Sequence, residues 1–474
     1  MNITEFLLSA AAAVAALGAS QPAAAQTYSA PDQVVFRDIF RELIETRSSV
    51  SGGECTLAAE RMGARLLAAG YPASDVQVLI PESHPKEGAL AAVLRGSDPT
   101  APALLLLAHI DVVEARREDW TRDPFILVEE DGYFYGRGTQ DDKAQVAIWI
   151  DTLIRLRQQG FRPRRDIKVA LTCAEETSTA FSTIGWMLTN HPETLRAGMA
   201  LNEDVRARLN PDGTHVALEI MVGEKVYQDF QLETTHPGGH SSRPVPDNAI
   251  YRLAGGLTRL GEHRFPVEIN PTTRAYFAAM AELTPANAAD MRAVSAEVPD
   301  PAAAERLGAA DPIWNSMMRT TCVATRLDGG HATNALPQRA WANVNCRILP
   351  GHTAQEVQAE LERAIADPRI VVSTRHEPDP VSPPPPLTPQ FLEPIQRVAA
   401  RMWPGVPVIP SMNAGASDAR FTNAAGIPTY GVTGLFAHPD GGGVHGLNER
   451  IRIRSLYQGR DFLFDLVKIY ADQP

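Results

Sequence analysis

The apolar and polar positions along the chain follow two patterns in its first third. Residues 103–108 and 167–172 are short, mostly apolar runs, which are typical of strands buried on both faces of a sheet. Residues 56–69 and 144–158 carry apolar side chains at helical spacing, and a glycine follows each segment closely, as at many helix ends. The alternation of strand and helix predicts an α/β sheet with helices on its faces.

The middle of the chain has a different pattern. Residues 227–235 and 341–348 alternate between polar and apolar positions, as in a strand with one exposed face. Residues 353–366 have the pattern of an amphipathic helix. We therefore predict a small α+β domain over residues 225–373, inserted into a larger domain. Four consecutive prolines between residues 381 and 386 predict a stiff, extended connector after the insertion.

The length and composition fit a globular protein of two domains. A chain of 474 residues is too long for one ordinary hydrophobic core, so we expect the larger domain to consist of residues 26–224 and 374–474. A hydrophobic content of 44% and a charged content of 21% are normal for such a protein. The net charge of −12 and the lack of a basic stripe predict no nucleic-acid partner.

Residues 1–25 have the features of a secretory signal peptide. Residues 6–18 are mostly apolar and rich in alanine, and three consecutive alanines before Gln26 form a cleavage pattern of small residues. A disordered alanine-rich leader is the alternative. The apolar run is too short and too rich in alanine and glycine for a membrane span. We predict an exported protein, periplasmic or secreted, with no membrane attachment once the signal is removed.

The cysteines allow disulfides but do not suggest a metal site. The chain has four of them, Cys55, Cys173, Cys322 and Cys346, and no two form a CxxC pair. An even number of cysteines in an exported chain permits disulfides, and Cys322 and Cys346 could bridge neighbouring strands. Cys173 lies in an apolar segment, where we predict it to be a small buried hydrophobic residue.

Five separate motifs carry residues of the types that bind metal ions. Their candidate residues are His109 and Asp111, Asp141, Glu175 and Glu176, Glu203, and His445. Two histidines with three carboxylates form a nitrogen and oxygen ligand set that suits zinc. His109 and Glu175 follow the ends of predicted strands, where α/β sheets place their ligand sites. Because residues two apart in a strand share a face, Asp111 can accept the second ring N–H of His109 and orient it.

Each motif taken alone has a structural explanation. An acidic pair such as Asp141 and Asp142 is common in the first turn of a helix, and adjacent glutamates are common in solvated turns. The residues themselves leave three choices open. These are Asp141 or Asp142, Glu203 or its neighbours Asn202 and Asp204, and His445 or His438.

Taken together, the motifs resemble those of the zinc aminoacylase and carboxypeptidase family, most closely the carboxypeptidase S and aminoacylase branch. The segment at 136–143 reads much like the second motif of that branch. The segment at 201–204 reads Leu-Asn-Glu-Asp where the family usually has Leu-Asp-Glu-Gly. The resemblance implies a catalytic α/β domain with a mixed central sheet and flanking helices. It also implies an inserted α+β domain of ferredoxin-like type that serves as a lid and dimerises.

The resemblance assigns roles to the metal-type residues and selects among the open choices. It implies two zinc ions per chain, for which cobalt or manganese can substitute. The implied ligands are His109 and Glu203 for one ion, Glu176 and His445 for the other, and Asp141 between the two. Glu175 is implied to be the general base that moves the proton during hydrolysis. A cis peptide bond is implied between Asp141 and Asp142.

Further residues match family loops that bind substrate. His240 matches a histidine that reaches the active site of the partner subunit and stabilises an oxyanion there, which implies a homodimer formed through the inserted domain. Asn334 and Arg347 match residues that hold the substrate, and Arg347 suits a carboxylate. Gly415 and Ser417 match a substrate-binding loop of the catalytic domain.

The predicted function is that of an exported dinuclear zinc hydrolase. Its substrate would be an amide bond next to a free carboxylate, in a short peptide or an N-acyl amino acid. One alternative is an N-acyl-amino-acid deacylase with no peptidase role. A more remote alternative is a binding protein without catalysis, against which the spare carboxylate of Glu175 argues. A serine hydrolase is excluded because no Gly-x-Ser-x-Gly segment occurs.

Overall fold

The computed structural model describes residues 28–49, 52–176, 181–203, 207–375 and 379–473. Within these residues the chain forms one large mixed sheet, one four-stranded sheet, two smaller ribbons of strands, and helices. The predicted signal peptide and Asp204 of the fourth motif lie outside the described residues. Among the described helices, none combines the length and the apolar character that crossing a membrane requires.

Helices and strands alternate through most of the chain. In the described residues the helices are α1 Pro31–Glu45, α2 Cys55–Ala68, α3 Lys143–Gln158, α4 Thr183–Asn190, α5 Pro192–Leu195, α6 Ala249–Glu262, α7 Pro271–Leu283, α8 Ala288–Ser295, α9 Pro301–Ala310, α10 Pro312–Met318, α11 Ala354–Ile365, α12 Pro389–Met402, α13 Ala419–Ala424 and α14 Ile453–Asp472. The strands are β1 Val76–Leu79, β2 Ala89–Leu94, β3 Leu104–His109, β4 Val128–Glu130, β5 Tyr133–Tyr135, β6 Ile167–Thr172, β7 Met199–Asn202, β8 Ala207–Leu209, β9 His215–Glu224, β10 Val226–Thr235, β11 Gly239–His240, β12 Thr321–Gly329, β13 Ala335–Leu336, β14 Arg339–Ile348, β15 Val371–Thr374, β16 Val408–Asn413, β17 Thr429–Gly431, β18 Phe436–Ala437 and β19 Arg450–Arg452.

The ten-stranded sheet is the framework of the larger domain. Its order is β1-β2-β6-β3-β7-β17-β9-β8-β18, and β16 pairs with β9. The predicted apolar strands are β3 and β6, which pair with each other in parallel, and β3 also pairs in parallel with β7. The carboxyl ends of these three neighbouring strands therefore meet at one edge of the sheet.

The apolar run of β3 is explained by burial on both faces, as predicted. Leu104 and Leu106 belong to one core, whereas Leu105 and Leu107 belong to another, because successive side chains point to opposite faces. Helices α1, α2, α3, α12 and α14 contribute to the first core, and α4 and α5 to the second. Helix α3 is buried nearly all round, and its Asp151 pairs with Arg460 of α14 at 2.7 Å.

A four-stranded antiparallel sheet forms the centre of the inserted segment. Its order is β12-β14-β10-β15, and α6 and α11 share its hydrophobic core. Strand β10 alternates between buried and half-buried residues, as its polar and apolar pattern predicts. Strand β12 lies at the edge of this sheet, and its residues are exposed from Val323 onward.

The segment between α6 and β12 corrects the predicted domain boundaries. Helices α7 to α10 share a core with Ala217 of β9 and with Ile409 and Met412 of β16, which are strands of the large sheet. These helices therefore pack with the larger domain, although they lie inside the predicted insertion at 225–373. An amphipathic helix has the same pattern whichever sheet it covers, so the pattern alone could not assign them.

The cysteines form two disulfides. Cys322 and Cys346 are bonded and face each other across β12 and β14, which the sequence analysis allowed. Cys173 corrects the prediction, because it is buried as expected but is bonded to Cys55 at the start of α2. Their sequence separation is 118 residues, so only the tertiary structure brings them together. This bond ties the segment after β6 to α2.

Candidate metal centre

Three predicted metal-type segments meet because they follow three neighbouring parallel strands. His109 is the last residue of β3, and Glu203 directly follows β7. Glu175 and Glu176 lie just beyond the end of β6. Since β6, β3 and β7 are adjacent and parallel, these side chains gather at one edge of the large sheet. This is the edge at which open α/β sheets bind ligands.

Asp141 lies between the two histidines. Its Oδ1 is 3.2 Å from Nε2 of His109, and its Oδ2 is 3.2 Å from Nε2 of His445. The peptide bond between Asp141 and Asp142 is cis, as the family resemblance implied. Each oxygen of one carboxylate therefore faces a different imidazole ring.

The donor atoms form two triads that share this aspartate. One triad consists of His109, Asp141 and Glu203, and the other of Asp141, Glu176 and His445; within each triad the donor atoms lie within 4.8 Å of one another. Nε2 of His445 is 2.9 Å from Oε1 of Glu176. The structure brings together the five side chains that the sequence analysis proposed as ligands.

The choice between the two histidines of the glycine-rich loop is explained by geometry. His445 has a left-handed backbone conformation with φ of 57°, and its ring reaches the second triad. His438 instead has Nδ1 at 3.3 Å from Asp440, outside the triads. No sequence pattern states which way a loop residue turns.

Asp111 holds the first triad in place, although not quite as predicted. Nδ1 of His109 lies 3.1 Å from the backbone oxygen of Asp111 and 3.6 Å from its Oδ1, so the backbone is the closer partner. The carboxylate also accepts a hydrogen bond from the backbone N–H of Glu176 at 3.0 Å. Asp111 therefore joins the segments that follow β3 and β6.

The charges of the cluster suit a divalent cation. Burial lowers the pKa of His109, but the hydrogen bonds to Asp111 and Asp141 together with the charges of Asp111 and Glu175 raise it well above the usual value. Hydrogen bonds to Asp141 and Glu176 raise the pKa of His445 to about 10. Carboxylates crowded around two imidazole rings form a donor set that suits zinc, which displaces protons from the same atoms.

Glu175 is a carboxylate whose side chain is only 10% exposed and which belongs to neither triad. Burial raises the pKa of Glu175 well above the usual value, and the charge of Glu176 raises it further. Nη1 of Arg420 lies 3.8 Å from Oε1 of Glu175, and Nε of Arg420 lies 3.0 Å from Asp379. Arg420 was not among the predicted site residues; its only signal in the sequence is that it closely follows the Gly415–Ser417 segment, at the start of α13.

A buried hydrogen-bond chain that includes Ser417 supports Glu203. The Ser417 hydroxyl donates to Glu224 at 2.8 Å and accepts from Nδ2 of Asn202 at 3.1 Å. Nδ2 of Asn202 is also 3.3 Å from Oε1 of Glu203. Ser417 is 1% exposed, and its hydroxyl belongs to this internal network. Gly415 is half-buried, and its N–H donates to the Asn413 side chain at 2.9 Å.

The predicted substrate residues of the small sheet lie at its two opposite ends. Arg347 lies near the end of β14 close to the candidate centre, where Glu175 and Arg420 affect its pKa, which burial lowers. His240 and Asn334 lie beside each other at the other end, where Ser241 N–H donates to the Asn334 oxygen at 3.0 Å. Eight residues of β14 between these ends span about 27 Å. One chain therefore does not place all three residues together.

The fold and the two triads define the class of protein. An α/β sheet with histidine and carboxylate donors at the carboxyl ends of its strands is the framework of a metal-dependent hydrolase. The chain belongs to the family described as Peptidase family M20/M25/M40, whose model matches residues 105–469. This match confirms the resemblance found in the motifs and shows that the protein is a hydrolase of amide bonds.

Known proteins are similar over most of the chain. The human protein described as N-fatty-acyl-amino acid synthase/hydrolase PM20D1 is 30% identical over 397 residues, a match that covers 79% of this chain and 75% of that protein. A Dictyostelium discoideum protein described as probable carboxypeptidase S-like 2 is 29% identical over 396 residues, a match that covers 79% of this chain and 73% of that protein. The solved structure of the M20 family metallo-carboxypeptidase Sso-CP2 from Sulfolobus solfataricus has the same fold, with a TM-score of 0.69 at 18% identity and coverage of 92% of this chain and 99% of that one.

The buried Asp418 provides a test of the charge arrangement behind the cluster. Burial raises the pKa of Asp418 to about 6, although its carboxylate accepts a hydrogen bond from Thr172 at 2.6 Å. An unfolded aspartate titrates near pH ~4. Because the folded state holds this proton more tightly, the contribution to stability is complete below pH ~4 and is lost as the pH rises to about 6.

We therefore expect Asp418→Asn to stabilise the metal-free protein relative to the parent at pH 8 but not at pH 4. The difference in the free energy of unfolding should change by about 3 kcal/mol between these two values, since each pKa unit is worth about 1.4 kcal/mol. Urea denaturation at several pH values measures it, with the exposed Asp119→Asn as control. A difference between the Asp418→Asn variant and the parent that stays constant with pH would contradict this account.

Proposed function

We propose that this protein is a dinuclear zinc hydrolase that cleaves an amide bond next to a free carboxylate. The observation that carries the proposal is the position of Asp141, whose two oxygens face two different triads. A carboxylate shared in this way can bridge two cations. Glu175 lies next to the triads without belonging to either, as a general base requires.

The substrate class follows from what the similar proteins have in common. One is named for N-fatty-acyl-amino acids and another for a carboxypeptidase activity. Both kinds of substrate carry a free carboxylate beside the scissile amide. We infer that this chain acts on N-acyl amino acids or short peptides, with a deacylase that has no peptidase role as the second candidate.

The side chains around the cluster divide the catalytic work. Two zinc ions, when bound, would polarise the substrate carbonyl and make a water molecule more acidic. Glu175 accepts the proton of the attacking water and delivers it to the leaving amine. Glu175 is suited to this transfer because it lies beside both triads without contributing a donor atom to either. The Arg420 guanidinium forms ion pairs with both Glu175 and Asp379, so it stays beside Glu175 while Asp379 offsets its charge.

Arg347 is the best placed residue for the substrate carboxylate. Its guanidinium is stacked on the ring of Tyr227 at 4.7 Å, and no salt bridge from the described residues neutralises it. Arg347 is half-buried, and a cation partly withdrawn from water is costly unless an anion approaches it, so an anionic substrate end gains from this position. Arg420, by contrast, is already paired with Asp379.

A second copy of the chain would complete the site. Strand β12 is an exposed edge whose Val323 and Leu327 are 60% and 68% exposed, and such edges pair readily with another strand. His240 and Asn334 lie at the end of the small sheet far from their own Arg347. A two-fold dimer through the inserted domain would carry them to the partner's centre.

Export is a separate proposal, supported by the two disulfides. Disulfides persist in oxidising compartments such as the periplasm and the extracellular space. Cleavage of residues 1–25 would leave Gln26 as the first residue. N-terminal sequencing of protein recovered outside the cytoplasm tests this, and a retained Met1 would contradict cleavage.

The first prediction separates ligand from base. We expect two zinc ions per chain in the parent and in Glu175→Gln, whereas Glu176→Gln should bind fewer because it loses a donor of the second triad. Glu175→Gln should lose turnover by about a hundredfold or more, since it can no longer accept a proton. Elemental analysis and hydrolysis assays measure both properties. A Glu175→Gln variant as active as the parent would refute the mechanism.

The second prediction concerns the substrate carboxylate. Converting this carboxylate to an amide should lower kcat/KM by tenfold or more, about 1.4 kcal/mol, as expected for the loss of a charge-assisted hydrogen bond. Arg347→Ala should remove most of this discrimination, while Arg401→Ala, at an exposed position of α12 in the larger domain, should keep it. Equal hydrolysis of both substrates by the parent would show that the site does not recognise a carboxylate.

The third prediction tests completion of the site by the partner. Mixed and exchanged Glu175→Gln and His240→Ala chains should regain up to about a quarter of parental activity, because half of the dimers are mixed and each has one intact site. A mixture of Glu175→Gln and Glu176→Gln is the matched control and should regain none, since both changes lie in the same chain's site. Equal recovery in both mixtures, or none in either after demonstrated exchange, would exclude action across the dimer.

A further inference from the structure

We propose that Glu449 is a positioning residue that fixes Asp141 and His445 relative to each other before any metal binds. Glu449 is fully buried and directly follows the loop that carries His445. Its side chain reaches the loop at 137–141, which carries Asp141. Glu449 ends the motif that carries His445, but the motif itself indicates no role for this glutamate.

The Glu449 carboxylate accepts four hydrogen bonds from that loop. Its Oε1 accepts from the backbone N–H of Gln140 at 2.7 Å and from that of Asp141 at 3.2 Å. Its Oε2 accepts from the backbone N–H of Gly138 at 2.9 Å and from Nη1 of Arg137 at 2.8 Å. Both oxygens are therefore occupied by donors of the segment that leads into α3.

Arg137 completes the connection in the other direction. Its Nη2 donates to the backbone oxygen of Gly446 at 2.7 Å, next to His445. The guanidinium is buried and lies over the ring of Trp120 at 5.1 Å. The ion pair thus joins two loops that are more than 300 residues apart in sequence, and each loop carries one donor of the second triad.

Such a clamp answers a physical difficulty of the centre. Asp141 and His445 lie on loops that are far apart in the chain, and each contributes one donor to the second triad, so this triad forms only where the two loops are held together. Burial of the Glu449 carboxylate is costly, and the four donors around it reduce this cost. The buried ion pair of Glu449 and Arg137 therefore keeps Asp141 and His445 in place without a bound metal ion.

A glutamine cannot replace this glutamate. Each oxygen of Glu449 faces two donors, so either orientation of a glutamine amide turns its NH₂ group toward two N–H groups. The Glu449→Gln variant has nearly the same shape but loses half of the acceptor positions. Lysine at position 137 keeps the positive charge but cannot span Glu449 and Gly446 with one planar fork.

The first test needs no substitution and is independent of activity. Hydrogen exchange with mass spectrometry on the full chain, with and without zinc, should show the amides of Gly138, Gln140 and Asp141 protected in the metal-free protein. We expect these amides to be protected without zinc as well as with it, because the Glu449 carboxylate and not the metal protects them. Exchange of these amides at the rate of an exposed loop in the metal-free chain would overturn the inference.

The second test compares metal binding by Glu449→Gln, Arg137→Lys and the exposed control Glu262→Gln. Both clamp variants should bind one of two Co²⁺ ions at least tenfold more weakly than the parent and should show an altered Co²⁺ absorption spectrum. The control should match the parent. Parental affinities and spectrum in a folded Glu449→Gln chain would overturn the inference, even if its melting temperature falls.

These outcomes distinguish the inference from the proposed function on which it rests. If the parent binds fewer than two metal ions, the proposed dinuclear centre is wrong. The hydrogen-exchange result on the metal-free parent then still tests the positioning role of Glu449. If Glu449→Gln does not fold, the positioning role is tested by the Co²⁺ spectrum of Arg137→Lys and by hydrogen exchange of the metal-free parent. Unprotected amides and a parental Co²⁺ spectrum in Arg137→Lys would then refute the positioning role.

Discussion

The repulsion among carboxylates gathered at one edge of the large sheet is the constraint on which the rest of the site depends. Asp141, Glu176 and Glu203 share two triads with two imidazole rings, and Glu175 lies beside them. The raised pKa values of the histidines show how strongly this cluster attracts positive charge. A fold that assembles such a cluster must hold each loop firmly, because the loops would otherwise move apart.

The structure holds them by different means on each side. The disulfide between Cys55 and Cys173 fixes the segment before Glu175. The Asp111 carboxylate accepts a hydrogen bond from the backbone N–H of Glu176. Asn202 donates hydrogen bonds to both Ser417 and Glu203, and so connects Glu203 to the buried network. Glu449 and Arg137 join the two remaining loops. These supports are buried, so the geometry of the centre is built into the core of the larger domain rather than left to exposed loops.

The second sheet adds a different kind of control. Its strands β10 and β14 extend about 30 Å away from the large sheet, so residues at their two ends cannot serve one site in a single chain. Arg347 lies at the near end, and His240 with Asn334 at the far end. An elongated insertion with an exposed edge strand is suited to placing one subunit's residues at another subunit's centre. In the proposed dimer, substrate recognition would depend on the assembly of two subunits.

The sequence by itself determined the α/β class, the buried strands β3 and β6, and the residue types of the centre, because apolar runs and ligand motifs are local patterns. Tertiary structure decided what depends on contacts between distant segments. It joined Cys173 to Cys55, turned Ser417 inward, placed α7 to α10 on the large sheet, and brought Glu449 against the loop before Asp141. In each case the partner lies far away in the chain, and a pattern of neighbouring residues carries no record of it.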